Sequence, residues 1–342
     1  MQIRLSFIIS GMKALQLVEY GRFEMTELPV PEIADDEVLI KVVACGICGS
    51  DVHGMDGSTG RRIPPIVMGH EAAGEIVQLG SKVEGWSIGD RVTFESVIFC
   101  NKCEYCLKGQ SNLCNSRQVF GVSCSEFKRQ GAFADYLAVH ARSLFGLPDG
   151  LTYEQAAMVE PVTVALHAVD RAQIKPGDRV VVVGVGMIGL LVVQVLKARG
   201  AGEVIAVDVN PEKLSMAAAH GADITTESSI GMELDCAIEA VGITPTVDMA
   251  IRSVRKGGNV VLIGNLSSHV EFPLQEVVTR QLTVYGTYGS EGDYPECLEL
   301  IASGKVNVDG MMSAVITLDQ ASEFFDRLYK QEPGLMKVVV RP

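Results

Sequence analysis

The run Arg179-Val-Val-Val-Val-Gly184-Val-Gly186-Met-Ile-Gly189, followed by the apolar stretch Leu190 to Leu196, constrains this chain more than any other segment. A short valine run bounded by glycine predicts a buried parallel strand. Three glycines in the pattern G-x-G-x-x-G then turn the chain tightly and keep the backbone bare. The amides that open the following helix, from Met187 and Ile188 on, can receive a pyrophosphate. Glycine triplets are common, so context decides their meaning. Here a second strand, Glu203-Val-Ile-Ala-Val207, ends at Asp208, the offset at which a carboxylate holds an adenosine ribose diol. Gly184, Gly186, Met187, Ile188, Gly189 and Asp208 are therefore the expected dinucleotide-binding residues.

Around this segment helices and strands alternate. Helix is expected over 153–172 and 211–220, the latter with Asn210 as N-cap and Pro211 at the first helical position. Further strands are expected at Asp235–Glu239, Asn259–Ile263 and Leu282–Tyr285. Such alternation gives an α/β, doubly wound parallel sheet. From Met12 to about Asp149 the pattern is different, with short β-rich runs (37–44, 75–79, 90–94) separated by glycine-rich turns, which predicts a β domain. Helices are expected around 295–303 and 320–330. A final strand, 336–340, is expected to rejoin that β domain. Residues 1–11 read as an extension ahead of a second methionine, Met12.

At 342 residues the chain can hold two domains with sizeable cores. Its net charge of −13 argues against nucleic acid or an anionic membrane as partner. It has no apolar run of membrane-spanning length and no signal-peptide pattern, so a cytoplasmic location is expected.

Nine cysteines in a long chain without export signals suggest metal rather than disulfides. Cys100, Cys103, Cys106 and Cys114 supply four thiolates at close spacing. Tetrahedral zinc takes four sulfurs, and a closed shell of that kind is structural. A second group is dispersed: Cys48, Ser50, Asp51 and His53 after one strand, His70 and Glu71 later, and Glu160 before Pro161. Singly, Cys48 reads as a small buried hydrophobe, His70 as a core histidine and Glu160 as a helix carboxylate. Together they offer thiolate, imidazole and carboxylate with an open fourth position, the donor set of a catalytic zinc. Cys45, Cys124, Cys236 and Cys297 read as packing residues.

The motifs Gly46-Ile-Cys-Gly-Ser-Asp-Val-His53, Gly69-His-Glu-Ala-Ala-Gly74, the four-cysteine loop, Glu160-Pro-Val-Thr-Val-Ala-Leu-His-Ala168 and the Gly184 turn occur in one order. In these the chain resembles the zinc-containing medium-chain alcohol/polyol dehydrogenases, from Met12 to the C-terminus. The Glu-Pro at 160–161 is similar to the sorbitol-dehydrogenase-like branch. The resemblance implies a GroES-like catalytic domain (12–153, completed by 293–342) and a Rossmann NAD-binding domain (154–292). It implies Cys48 and His70 as ligands of a catalytic zinc, with Glu71 or Glu160 as the third. Ser50 would take the substrate proton, His53 would relay it outward, and Asp51 would orient His70. Thr163 and Gly264 would border the cofactor.

Asp208, followed by Val209 and Asn210 rather than arginine, favours NAD over NADP. The implied reaction is oxidation of a secondary alcohol, such as a sugar alcohol, to a ketone. Polyol phosphates, which Lys128 and Arg129 could meet, butanediol and L-threonine are alternative substrates. A non-catalytic nucleotide-binding protein is the alternative of another class. A homo-oligomer, tetramer or dimer, is implied. One departure from the family pattern stands out: the short connector between Ala222-Asp-Ile-Thr and Met232-Glu-Leu-Asp235 leaves no room for the usual helix.

Overall fold

The computed structural model describes residues 11–228, 231 and 233–342. The extension assigned to 1–11 lies, apart from Gly11, outside them. The chain divides into two compact units. One holds the described residues up to Lys108 with Leu113–Glu160 and Met312–Pro342, and the other Gly109–Asn112 and Pro161–Met311.

The first unit is β-rich. A sheet of three strands, Arg22–Leu28, Met12–Glu19 and Ile66–Val67, accompanies a seven-stranded sheet. The long strand Glu37–Gly46 organises the larger sheet, pairing antiparallel with Glu71–Leu79, Tyr136–His140 and Lys337–Arg341. Its core gathers Leu15, Leu17, Ile40, Ile76, Phe94 and Phe133, all about fully buried. The final strand rejoins this unit as expected, and it arrives by a route the sequence did not announce. Strand Met312–Thr317 pairs parallel with it, and helix Ala321–Tyr329 is the crossover. Phe325 of that helix stacks on Phe23 at 4.6 Å and meets Phe133 edge-on at 5.6 Å.

The second unit carries a six-stranded parallel sheet in the order Ile224–Thr226, Glu203–Val207, Arg179–Val183, Leu234–Glu239, Val254–Leu262, Thr283–Gly286. Helix Met187–Ala198 is apolar on nearly every side, and Gly189 to Leu196 are all buried. Each such leucine or valine contributes roughly 1.5–3 kcal/mol by leaving water. Helix Pro211–Ala219 begins where expected, Asn210 Oδ1 accepting from the amides of Glu212 and Lys213. Among the described residues between Thr226 and Leu234 none is helical. The single helix anticipated over 153–172 is two, Tyr153–Ala157 and Val159–Arg171, separated at Met158. Helix Tyr294–Ala302 belongs to this second unit, where Arg199 bridges Asp170 and Glu296. No helix among the described residues is long and apolar enough to cross a membrane.

Candidate metal centres and dinucleotide site

Strand register explains how candidate ligands 22 positions apart in sequence become neighbours. Cys45 pairs with Ala72 and Gly46 with Glu71 across the antiparallel strands, so the end of one strand meets the start of the other. Cys48 follows the first by two residues, and His70 immediately precedes the second. Ligand atoms of Cys48, His70 and Glu71 lie within 4.8 Å of one another. Beyond Cys48 the chain turns into the short helix Gly49–Gly54, with Cys48 as its N-cap. This helix presents Asp51 inward, fully buried, and leaves Ser50 and His53, one turn apart, exposed.

Charge fills the pocket. Asp51 Oδ2 faces His70 Nδ1 at 3.6 Å, and neither atom has a hydrogen-bond partner. Asp51 Oδ1 accepts from Arg62 Nε at 3.0 Å and Nη2 at 2.7 Å. Arg62 Nη2 also donates to Ser50 Oγ at 3.3 Å, and Ser50 Oγ donates to Cys48 Sγ at 3.3 Å. On the other side Lys337 Nζ forms an ion pair with Glu71 and donates to the Ile47 carbonyl. Gly46 makes room for that pair, because a Cβ there would fall 2.4 Å from Glu71 Oε2. Glu160 Oε1 accepts from Ser96 Oγ at 3.0 Å. Glu160 lies in the same charged neighbourhood but outside the tight trio: burial pushes its carboxyl up, and the charge on His70 opposes this. For His70, burial favours the neutral ring. The charges of Asp51, Cys48 and Glu160 outweigh it and raise the imidazole to about 10.

The environment thus recruits a cation, and a metal would take the place of the imidazole proton. Thiolate, imidazole and carboxylate form a donor set that suits zinc, so the residues present fit that ion.

Two residues of this network, Arg62 and Lys337, escape a reading of the sequence. Arg62 stands in no motif. Lys337 gives a weak signal, being a lysine inside an apolar strand run, and is 2% exposed. Arg62 is 3% exposed, so its loss leaves buried Asp51 Oδ1 without the two charge-assisted hydrogen bonds it accepts. Arg62→Met is therefore expected to lower unfolding free energy by about 3–5 kcal/mol. Urea denaturation measures this, and a change below 1 kcal/mol would contradict it.

The second cysteine group is compact too. Sγ atoms of Cys103 and Cys106 are 3.5 Å apart and those of Cys100 and Cys106 4.0 Å, well beyond disulfide length. Backbone amides point at the sulfurs: Cys103 N at Cys100 Sγ, and Cys100 N and Ser116 N at Cys114 Sγ. Hydrogen bonds from the backbone at Cys106 and Asn115 lower the Cys103 thiol to about 6. Four sulfurs with amides directed at them fit a tetrahedral metal.

In the second unit the three glycines act differently. Gly184 has φ +87°, and Gly189 packs so close that a Cβ would fall 2.0 Å from the Gly184 carbonyl. A Cβ at Gly186, the N-cap of the helix opened by Met187 and Ile188, would meet nothing within 4 Å. That leaves space over the first free amides for an anion. Asp208 Oδ2 accepts from Val185 N and Oδ1 from Asn210 N, both at 3.0 Å, which holds the carboxylate beside the turn. Gly264 joins the same region through Val241, while Thr163 is buried in helix Val159–Arg171. Lys128 and Arg129 are exposed in the first unit, and Arg129 donates to Gln118.

Comparison with known proteins agrees with this architecture. Residues 34–149 match the alcohol dehydrogenase GroES-like domain, and residues 188–303 match the zinc-binding dehydrogenase model. Sorbitol dehydrogenase of Bacillus subtilis (strain 168) is 34% identical over 97% of this chain and 98% of its own length. The structure of 2R,3R-butanediol dehydrogenase from Bacillus subtilis superposes with TM-score 0.87 and 33% identity, covering 97% of this chain and 99% of that one. Galactitol-1-phosphate dehydrogenase from Escherichia coli gives TM-score 0.88 and 29% identity, over 96% and 100%. Sequence, fold and cysteine–histidine chemistry agree: this chain belongs to the zinc-binding medium-chain alcohol dehydrogenases.

Proposed function

We propose that this enzyme oxidises a secondary alcohol of a polyol to the ketone, with NAD as hydride acceptor. The observation that carries the reading is the close trio of half-buried Cys48 and buried His70 and Glu71, in a chain whose similarity to a sorbitol dehydrogenase covers 97% of its length. Cys48 and His70 would hold the catalytic zinc with a carboxylate from Glu71 or Glu160, and the four-cysteine loop would hold a structural one. When bound, the zinc supplies Lewis acidity to an alcohol oxygen and the nicotinamide accepts hydride.

The chain's own residues then manage the proton. A serine hydroxyl has one donor and two acceptor lone pairs. Ser50 spends the donor on Cys48 and one lone pair on Arg62, which leaves a lone pair for the hydroxyl of a substrate. His53 would carry the proton on to water once the Ser50 hydroxyl turned its own hydrogen away from Cys48, and its exposure one turn away supports this role. Asp208 would bind the ribose diol, with Thr163 and Gly264 bordering the cofactor. A 2′-phosphate beside the Asp208 carboxylate would meet like charge, and Val209 and Asn210 offer it no cation.

The test is reduced-nicotinamide formation from NAD or NADP across sorbitol, xylitol, butanediol, threonine and galactitol 1-phosphate, with and without chelator. Turnover of a polyol that stops on chelation and returns with zinc is expected. Silence on every polyol from a chain holding both zincs would reject the substrate class. In the same assay Asp208→Ala should relax the NAD preference by about 100-fold, the loss of two charge-assisted hydrogen bonds. An unchanged ratio would reject its role.

The same reading places the protein in the cytoplasm as a homo-oligomer. Supporting the latter, the outer strand Thr283–Gly286 pairs on one side only among the described strands, and Leu266, Leu274 and Val278 nearby are exposed. Light scattering that returns a monomer mass would reject the oligomer, and cell fractionation tests the location.

A further inference from the structure

The parallel sheet reverses its winding between strands Arg179–Val183 and Leu234–Glu239. From the first the sheet continues outward through Glu203–Val207, from the second through Val254–Leu262. Ligands of such sheets bind beyond the carboxyl ends of the strands at this reversal. Glu239 is the last residue of its strand there and stands level with Val183 and Leu262.

It is a carboxylate where every strand neighbour is apolar, and it is 0% exposed. Its Oε1 accepts from the amides of Val241, at 2.9 Å, and Gly242, at 2.7 Å. Its Oε2 is buried without a partner. Burying a carboxyl with one oxygen unsatisfied is costly, and an apolar side chain would fill the strand end without that cost. A residue so placed calls for a reason, and the segment it holds supplies one.

Three glycine segments meet at that segment with no slack. A Cβ at Gly184 would fall 2.2 Å from Val241 Cγ2, and one at Gly264 would fall 2.2 Å from Gly242 N. Gly242 itself has φ +86°, and a Cβ there would lie 2.3 Å from Asn265 N. The position of Val241 therefore bounds the Gly184 turn on one side and the end of strand Val254–Leu262 on the other. Among the described residues it is the Glu239 side chain that binds the Val241 and Gly242 amides across this corner, while its own carbonyl accepts from Ile263 and Gly264.

We propose that Glu239 is a positioning residue of the dinucleotide site, clamping the Val241–Gly242 corner so that the Gly184 turn keeps the shape a pyrophosphate requires. The inference rests on the NAD reading above. It concerns a residue that touches neither zinc centre.

The experiment titrates NADH, by its fluorescence, into the zinc-loaded wild type and the variants Glu239→Gln and Glu239→Leu. Metal content and substrate KM are measured alongside. Glutamine keeps an acceptor for the two amides and should bind NADH within about threefold of wild type. Leucine keeps the bulk but strands both amides, and should weaken NADH by about tenfold or more. Zinc content and the KM for alcohol at saturating NAD should stay unchanged in both. Leucine binding as tightly as wild type would overturn the proposal, as would glutamine binding as weakly as leucine.

Should the leucine variant not fold, hydrogen exchange decides. The Val241 and Gly242 amides should be protected in the wild type and in Glu239→Gln without NADH, and free exchange in either would overturn the clamp. A wild type that binds no NADH at all would sink the cofactor reading and this inference with it. Wild-type binding with an unweakened leucine variant sinks the clamp alone.

Discussion

Cys48→Ala is expected to reduce alcohol oxidation by a factor of about 10³ or more while leaving NADH binding within twofold. The argument is one of charge. In the pocket Arg62 faces Asp51 and Lys337 faces Glu71, so two buried cations offset two buried carboxylates. Cys48, which a bound metal would hold as the thiolate, would then be a principal source of further negative charge. Alanine would remove both a proposed ligand and the charge it would bring to a divalent ion, and it takes away a side chain that interacts with His70. Metal analysis should fall from about two zinc ions per chain to about one. The dinucleotide residues lie in the other unit, so cofactor titration serves as an internal control. Activity and zinc content both unchanged would reject the catalytic assignment of Cys48.

Cys103→Ala should act on stability first. The loop from Cys100 to Cys114 contains only the four-residue helix Glu104–Leu107 and the turn Ser111–Leu113, and Leu107 is exposed. So little apolar surface is buried there that a metal cross-link would supply much of the loop's order. Structural zinc binds with on the order of 10 kcal/mol, much of which is spent on folding its own loop. The variant should lose one zinc, become open to proteolysis between residues 98 and 118, and melt lower by roughly 5–10 °C. Zinc at the Cys48 site should persist. Full metal content with unchanged protease resistance would contradict the assignment. The two variants separate the centres, one silencing chemistry in a stable protein and the other loosening a protein whose chemistry is intact.

Local chemistry was readable wherever the residues that act together are also close in the chain. The valine strand, the glycine turn, Asp208 at the end of the next strand and the Asn210–Pro211 helix start all lie within about thirty positions, and each depends on backbone rules that hold for any chain. The same holds for the four cysteines, whose spacing already places four sulfurs on one loop. Cys48, His70 and Glu160 could be grouped by their donor chemistry and by family resemblance, but nothing in their spacing says they meet.

The tertiary structure decided what that spacing could not. The pairing of Gly46 with Glu71 closes the gap between Cys48 and His70, and Lys337, from the far end of the chain, enters through a parallel strand pair whose first member the sequence did not announce. Arg62, Lys337 and Glu239 belong to no sequence motif that assigns them a partner. Only the fold reveals that each is buried, because burial and partnership depend on what long-range strand pairing brings alongside. Sequence therefore determined the class of fold, the dinucleotide turn and the metal-binding potential, all set by local spacing and backbone conformation. Structure alone decided which buried charges pair with one another around Cys48 and His70 and that the Glu239 carboxylate is buried against the Val241 and Gly242 amides, because electrostatics acts through space and is indifferent to order along the chain.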